Sequence, residues 1–118
     1  MIGFVTHKVS DDEVSVPCFT FDIVDVIIKA LKNNLVGLYH LTNSGKASRY
    51  ELAKEFVCLN NLDNKILPVS MASFGSKVKR PLVTAMYNKK ISQELNITIP
   101  FWQKSLKKYI ELIKNRIN

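Results

Sequence analysis

The segment that most constrains this chain is a helix start set between two apolar runs. Ser48-Arg49-Tyr50-Glu51 has the form of a capping box: the Ser48 hydroxyl accepts from the backbone N–H three residues on, and the Glu51 carboxylate reaches back to the N–H of Ser48. It predicts a helix to about Asn60 with Leu52, Phe56 and Leu59 on its inner stripe. Before it, Leu35 to Thr42 is a short apolar run closed by the turn Asn43-Ser44-Gly45; after it comes Lys65-Ile66-Leu67-Pro68-Val69. Read as strands near 36–42 and 65–69, the two runs give strand, helix, strand, the order of a right-handed parallel βαβ unit.

The rest of the pattern is mostly helical. Phe4 to Val16 reads as one or two short strands around the polar turn Ser10-Asp11-Asp12-Glu13. Pro17 keeps its predecessor extended, and Thr20 can cap a helix from Phe21 to about Asn33, where Asn33-Asn34 ends it. Ile23, Val24, Ile27, Ile28 and Leu31 recur at helical spacing there and predict a core-facing side. Met71 to Phe74 fits one helical turn, and Gly75-Ser76-Lys77-Val78-Lys79-Arg80-Pro81 is a basic loop. Asn88 can cap a short helix to Leu95; beyond Pro100 a last helix lines up Trp102, Leu106, Tyr109 or Ile110, Ile113 and Ile117. No repeat, low-complexity tract or linker breaks the chain, so one domain over residues 1–118 is expected, of α/β class and rich in helix.

Composition removes several function classes. Hydrophobic residues at 47% and charged residues at 23% describe an ordinary globular chain and argue against disorder. No run approaches a membrane span, and no basic region followed by an apolar stretch opens the sequence, so a cytoplasmic location is expected. Cys18 and Cys58 lie in apolar settings without a CxxC or a Cys/His cluster, which predicts reduced packing residues and no metal site. His7 and His40 share no ligand spacing; His40, inside an apolar run, is expected as a hydrogen-bonded core imidazole, with Tyr39 and Trp102 also in the core. The net charge of +7 points to an anionic partner, whether nucleic acid, lipid or a phosphorylated small molecule.

Three stretches resemble the dTDP-4-dehydrorhamnose reductases of the extended short-chain dehydrogenase/reductase family. They are Gly37-Leu38-Tyr39-His40-Leu41-Thr42-Asn43-Ser44-Gly45 with Ser48-Arg49-Tyr50-Glu51-Leu52-Ala53; then Lys79-Arg80-Pro81 with Asn88-Lys89-Lys90-Ile91; and Ile97-Thr98-Ile99-Pro100-Phe101-Trp102-Gln103. The resemblance runs from about Lys8 to Ile113 and implies the C-terminal, sugar-nucleotide-binding part of such an enzyme. The family's substrate-side loop is similar to Asp12-Glu13-Val14-Ser15-Val16-Pro17-Cys18, where Asp12 and Pro17 are kept while Ser15 stands for a glycine and Cys18 for a threonine. The resemblance therefore implies substrate contacts from Asp12, Pro17 and Cys18, and from Lys79 and Arg80. Arg80, with its planar fork of donors, suits a diphosphate; Lys79 and Lys77 raise the local potential.

The same resemblance implies NADPH as the cofactor of the whole enzyme, held by a Gly-rich turn and served by a Tyr-x-x-x-Lys pair, both upstream of the matched region. With only Gly3, Gly37, Gly45 and Gly75, no G-x-G-x-x-G can be written here, so the Gly-rich Rossmann half is missing and no cofactor is expected in this chain. Tyr50 and Lys54 have Tyr-x-x-x-Lys spacing, but they sit at the start of a capped helix and are expected to be structural. Binding of a dTDP-sugar without reduction is expected of this chain, with a missing N-terminal cofactor lobe as its natural partner and a homodimer where that surface is left open. The alternative is a non-catalytic basic interaction domain that contacts nucleic acid or a protein. Against it, the basic residues are not interleaved with exposed aromatics and no helix-turn-helix or RNA-binding signature is present.

Overall fold

The computed structural model of the chain describes residues 6–75 and 79–117, the last of these in its backbone alone. Its elements in order are β1 (Thr6–Ser10), β2 (Val14–Ser15), α1 (Thr20–Lys32), β3 (Ala47–Ser48), α2 (Arg49–Leu59), β4 (Lys65–Val69), a 3-10 turn (Met71–Phe74), α3 (Lys89–Leu95) and α4 (Trp102–Ile117). They form two compact units: residues 1–15 with 46–85, and residues 16–45 with 86–118. The sequence expectations for Met1 to Val5 and for Ser76, Lys77 and Val78 lie outside the described residues.

The first unit is α/β, as the sequence indicated, but its parallel pair is a different one. β4 lies parallel to β1, from Thr6 beside Lys65 to Ser10 beside Val69. The segment near 36–42, expected as β4's partner, is in no strand at all. A short apolar run guarantees neither pairing nor burial: Val36 and Leu38 are exposed, and Gly37 at φ 117° breaks the extended path there. Pro68 in β4 is compatible with a two-stranded pair, in which every strand is an edge and can spare a donor. β2 and β3 form a second, antiparallel pair, and the backbone of Val14 also bonds Leu82 (2.7 Å) and Thr84 (2.8 Å). The capping box forms as written: Glu51 N–H donates to Ser48 Oγ at 3.0 Å, and Ser48 N–H to Glu51 Oε1 at 3.2 Å. α2 packs on β1, β3 and β4. Leu52 and Leu59 are half-buried, while Phe56 is exposed.

The second unit is built on helices and holds its core between Val26 of α1, Ile91 of α3 and Ile99, with Leu35, Tyr39, Leu41, Leu95 and Ile97 packed around them. Trp102, Leu106 and Ile110 form the buried stripe of α4 at four-residue spacing, as expected, whereas Tyr109 is exposed. Helix α1 departs further from its pattern. Val26, not the expected stripe, is its buried residue at 3% exposure; Val24, Ile27, Ile28 and Leu31 are all exposed, Leu31 at 71%. Hydrophobic periodicity finds the apolar face of a helix without saying what covers it, and among the described residues nothing in this unit does. Nor does Thr20 cap α1. The N-cap is Phe19, whose N–H is taken by the Asn43 side chain at 2.9 Å. Asn88 likewise makes no capping bond; its amide donates to Thr42 O (2.8 Å) and Ser44 Oγ (3.0 Å).

Helix ends are where asparagine acts. Asn34, Asn61 and Asn96 take positive φ of 52°, 52° and 51°, one after each of α1, α2 and α3. The following residues Leu35, Leu62 and Ile97 then return their N–H groups to Ala30, Val57 and Ser92, which closes each helix in a Schellman arrangement.

Candidate functional site

The chemistry gathers on the first unit where the loop between β1 and β2 meets the start of α2. The Ser48 cap sets Arg49 as the first residue of α2, and Arg49 Nε donates to Glu13 Oε2 at 2.7 Å while its backbone N–H bonds Glu13 O at 3.2 Å. Two cavities, of about 430 and 220 Å³, open beside this pair, and Glu13, Arg49 and Arg80 line both. The larger one adds Lys8, Ser10, Met71 and Phe74. Lys8, Arg49 and Arg80 against Glu13 leave it with an excess of positive charge. Ser10 is 3% exposed, and its hydroxyl has no hydrogen-bond partner among the described residues.

Of the residues implicated by sequence, Arg80 is exposed and joins this site. Lys79 is exposed next to it along the chain. Asp12 belongs to the same unit, but its carboxylate caps the 3-10 turn, accepting from Met71 N–H at 2.9 Å. Pro17 and Cys18 fall in the second unit, and neither lines the cavities around Arg80. Cys18 is exposed, its thiol directed at Val16 O at 3.3 Å, and Cys58 is exposed as well, so the expectation of buried packing cysteines is corrected. Apolar neighbours in sequence do not bury a side chain on the outward phase of its element. For the same reason His40 is exposed, not a core imidazole, while Tyr39 and Trp102 are in the core as expected. Lys54 lies 5.6 Å from the centroid of the Tyr50 ring, a cation–π position in which the pair is a helix-surface contact. Ser10, Glu13 and Arg49 were not singled out by sequence as site residues. The capping box did fix Arg49 at the helix start, but the Glu13 contact spans 36 positions and no local pattern announces it.

The turn at Gly45 does not fit the phosphates of a nicotinamide dinucleotide. A phosphate-cradling turn needs a glycine with open space at its missing Cβ, between a strand and a helix start. Gly45 is the glycine nearest that position, with φ +88°, yet a Cβ there meets Phe101 Cδ1 at 3.2 Å and Trp102 Cδ1 at 3.3 Å. The space is taken by packed aromatic rings. Among the described residues no group of His, Cys, Asp and Glu could hold a metal ion, and no helix is long and apolar enough to cross a membrane.

The second unit has its own features. Asn43 is fully buried; its Nδ2 lies 2.8 Å from Asp22 Oδ2 and 3.2 Å from both Pro100 O and Ser105 Oγ, and the Ser105 hydroxyl donates to the same Asp22 oxygen. This network ties α1, the turn after Thr42 and α4 together. A cavity of about 610 Å³ between α1 and α4 is walled by Val24, Ile28, Tyr109 and Leu112, with Thr20, Asp25 and Arg116 also on its lining.

The first unit is thus a small α/β body that carries a cationic cavity lined by Lys8, Arg49 and Arg80. The chain belongs to the RmlD substrate binding domain family, which it matches over residues 5–115. Among curated relatives it is 31% identical over 104 residues to the spore coat polysaccharide biosynthesis protein SpsK of Bacillus subtilis, covering 88% of this chain and 36% of that one. It is 25% identical over 105 residues to a dTDP-4-dehydrorhamnose reductase of Sinorhizobium fredii, covering 86% and 35%. Among solved structures, a dTDP-4-dehydrorhamnose reductase from Clostridium acetobutylicum superposes with a TM-score of 0.86 at 29% identity, over 94% of this chain and 40% of that one. The Bacillus anthracis enzyme, solved in complex with NADP, follows at 0.83 and 28%, over 91% and 38%. The chain thus spans little more than a third of the length of the curated relatives it matches.

Proposed function

We propose that this chain binds a nucleotide-sugar, of the dTDP-sugar class, as the substrate-binding part of a dTDP-4-dehydrorhamnose reductase-like protein. The observation that carries this is the cavity on the first unit, where Arg80 stands with Arg49 and Lys8 in a chain of the RmlD substrate binding domain family. Guanidinium groups pair with phosphate oxygens in a planar fork, and an excess of positive charge raises the local concentration of a dianionic ligand. Asp12 serves by holding the loop that carries Glu13, and Lys79 adds field beside Arg80. Pro17 and Cys18 are kept as substrate contacts only through the family resemblance.

Reduction of the sugar belongs to the longer protein, with NADPH supplied by a lobe that this chain does not contain; alone, the chain binds and does not turn over. The exposed apolar face of α1 is the seat of that additional chain, and a second copy covers it when the lobe is absent. The location in keeping with this is cytoplasmic. Calorimetric titration with dTDP, beside an Arg80→Ala variant and a duplex DNA control, tests the assignment. Saturable dTDP binding that the variant loses supports it. Salt-sensitive binding to DNA with none to dTDP would instead make the chain a basic interaction domain.

A further inference from the structure

We propose that the groove between α1 and α4 is the seat of an acidic amphipathic helix from the part of the longer protein that this chain lacks, an assignment that rests on the reading above only in taking the chain as one part of a larger protein.

The groove, of about 610 Å³, lies within the second unit and is lined by Phe21, Val24, Ile28, Tyr109, Leu112 and Ile113. Val24, Ile28, Tyr109 and Leu112 are between 43% and 51% exposed, so the apolar sides of two helices meet at an open seam. A seam of this kind takes the ridge of a third helix. α1 is 13 residues long, which at 1.5 Å per residue is about 20 Å, room for three to four helical turns.

Charge sets the sign of the occupant. The second unit carries nine Lys and Arg against four Asp and Glu, so +5 of the chain's +7 belongs to it and +2 to the first unit, which holds the Arg80 cavity. A ligand bound at Arg80 therefore leaves most of the net charge without a partner. The cations stand at the groove: Arg116 lines it, and Lys108 Nζ lies 4.8 Å from the centroid of the Phe21 ring. Lys32 follows Ile28 by one turn of α1, on the same side. Asp25, the one carboxylate among the described residues that line the groove, is already met by Lys29 at 3.0 Å. An apolar stripe with acidic flanks satisfies both the seam and its rim. A second copy brings two +5 units together, so self-association here strengthens with added salt, whereas salt releases an acidic helix. An anionic bilayer matches the charge but offers no ridge to a groove. The chain covers 40% and 38% of two solved relatives, so more than half of each lies outside the matched part and can supply the helix.

The test is fluorescence anisotropy of labelled helical peptides titrated with the whole chain. Two peptides share a leucine stripe at i, i+3, i+4 and i+7, with glutamate or lysine on the polar face; a third has glutamate flanks and serine in the stripe. The acidic leucine peptide is expected to bind at least about tenfold tighter than the other two at low salt, and the preference over lysine should fall below about threefold at high salt. Lys108→Glu with Arg116→Glu, both at exposed positions, should reverse the preference in favour of the lysine peptide, a gain that an unfolded variant does not produce. Equal affinity for the three peptides, or a preference that the double variant leaves in place, overturns the proposal. Binding to phosphatidylglycerol vesicles with none to the acidic peptide also overturns it and makes the face a membrane surface. dTDP titrated into the same samples reads the first unit separately. Selective peptide binding without dTDP binding keeps the groove and removes the nucleotide-sugar assignment; dTDP binding without peptide selectivity does the reverse.

Discussion

Arg49 Nε donates to Glu13 Oε2 at 2.7 Å, so the first turn of α2 and the loop between β1 and β2 are held by one charged bond. The pair is half in solvent, with Arg49's side chain 65% exposed, and such pairs add only about 0.2–1 kcal/mol to stability. On the proposed function its consequence for binding is larger, because Glu13 is the one carboxylate among the described residues that line the cavity. Glu13→Gln keeps the shape and an acceptor and removes the charge. Affinity for dTDP is expected to rise by about three- to tenfold with little change in the denaturation midpoint, most clearly at low salt. Weaker binding in this variant would show that Glu13 contacts the ligand as a carboxylate.

Asn43 governs the second unit in the way that Arg49 governs the first. Asn43→Ala removes a fully buried side chain and strips Phe19 N–H of its acceptor and Asp22 of a donor, both partly buried. A loss of about 2–4 kcal/mol in urea denaturation is expected. A loss under about 1 kcal/mol would mean that water replaces the amide and that the network is not what joins α1 to α4.

Two glycines with positive φ separate backbone strain from crowding. Gly75 at φ +65° has nothing within 4 Å of the point where a Cβ would sit, so Gly75→Ala should cost only the left-handed penalty of about 1 kcal/mol. Gly45 adds two ring contacts at 3.2 and 3.3 Å, and Gly45→Ala should cost about 2–4 kcal/mol. Equal losses in thermal denaturation would contradict the close packing of Phe101 and Trp102 on that turn.

How much of this could be read from the sequence differs by kind of feature. The Ser48 capping box, the asparagine helix end after α1, the Met71 turn and the buried stripe of α4 were legible because each is set by neighbours within a turn of helix. The pairing of β4 with β1 was not, since which strand lies beside Lys65–Val69 depends on partners nearly sixty positions away. The α1 stripe was legible as apolar and misread as covered, because burial depends on what the rest of the protein brings to it. Arg80 was picked out by its loop and its family resemblance, and the fold sets it on the cavity of the first unit. Ser10 and Arg49 became candidates only once the fold placed them on one cavity.

The exposed apolar side of α1 has its own consequence. The isolated chain should self-associate, with a sedimentation coefficient that rises with protein concentration. Ile28→Lys, which puts a charge among Val24, Ile27 and Leu31, should return it to a monomer without loss of helix. A wild-type chain that stays monomeric at high concentration would contradict self-association through this face.

The central claim is that a nucleotide-sugar binds on the first unit. Its most direct test is an NMR titration of isotopically labelled protein with dTDP, read residue by residue. Shifts that saturate together and cluster on Lys8 to Glu13, Arg49, Met71, Phe74 and Arg80 are predicted. No shifts, or shifts confined to the cavity between α1 and α4, would contradict the claim.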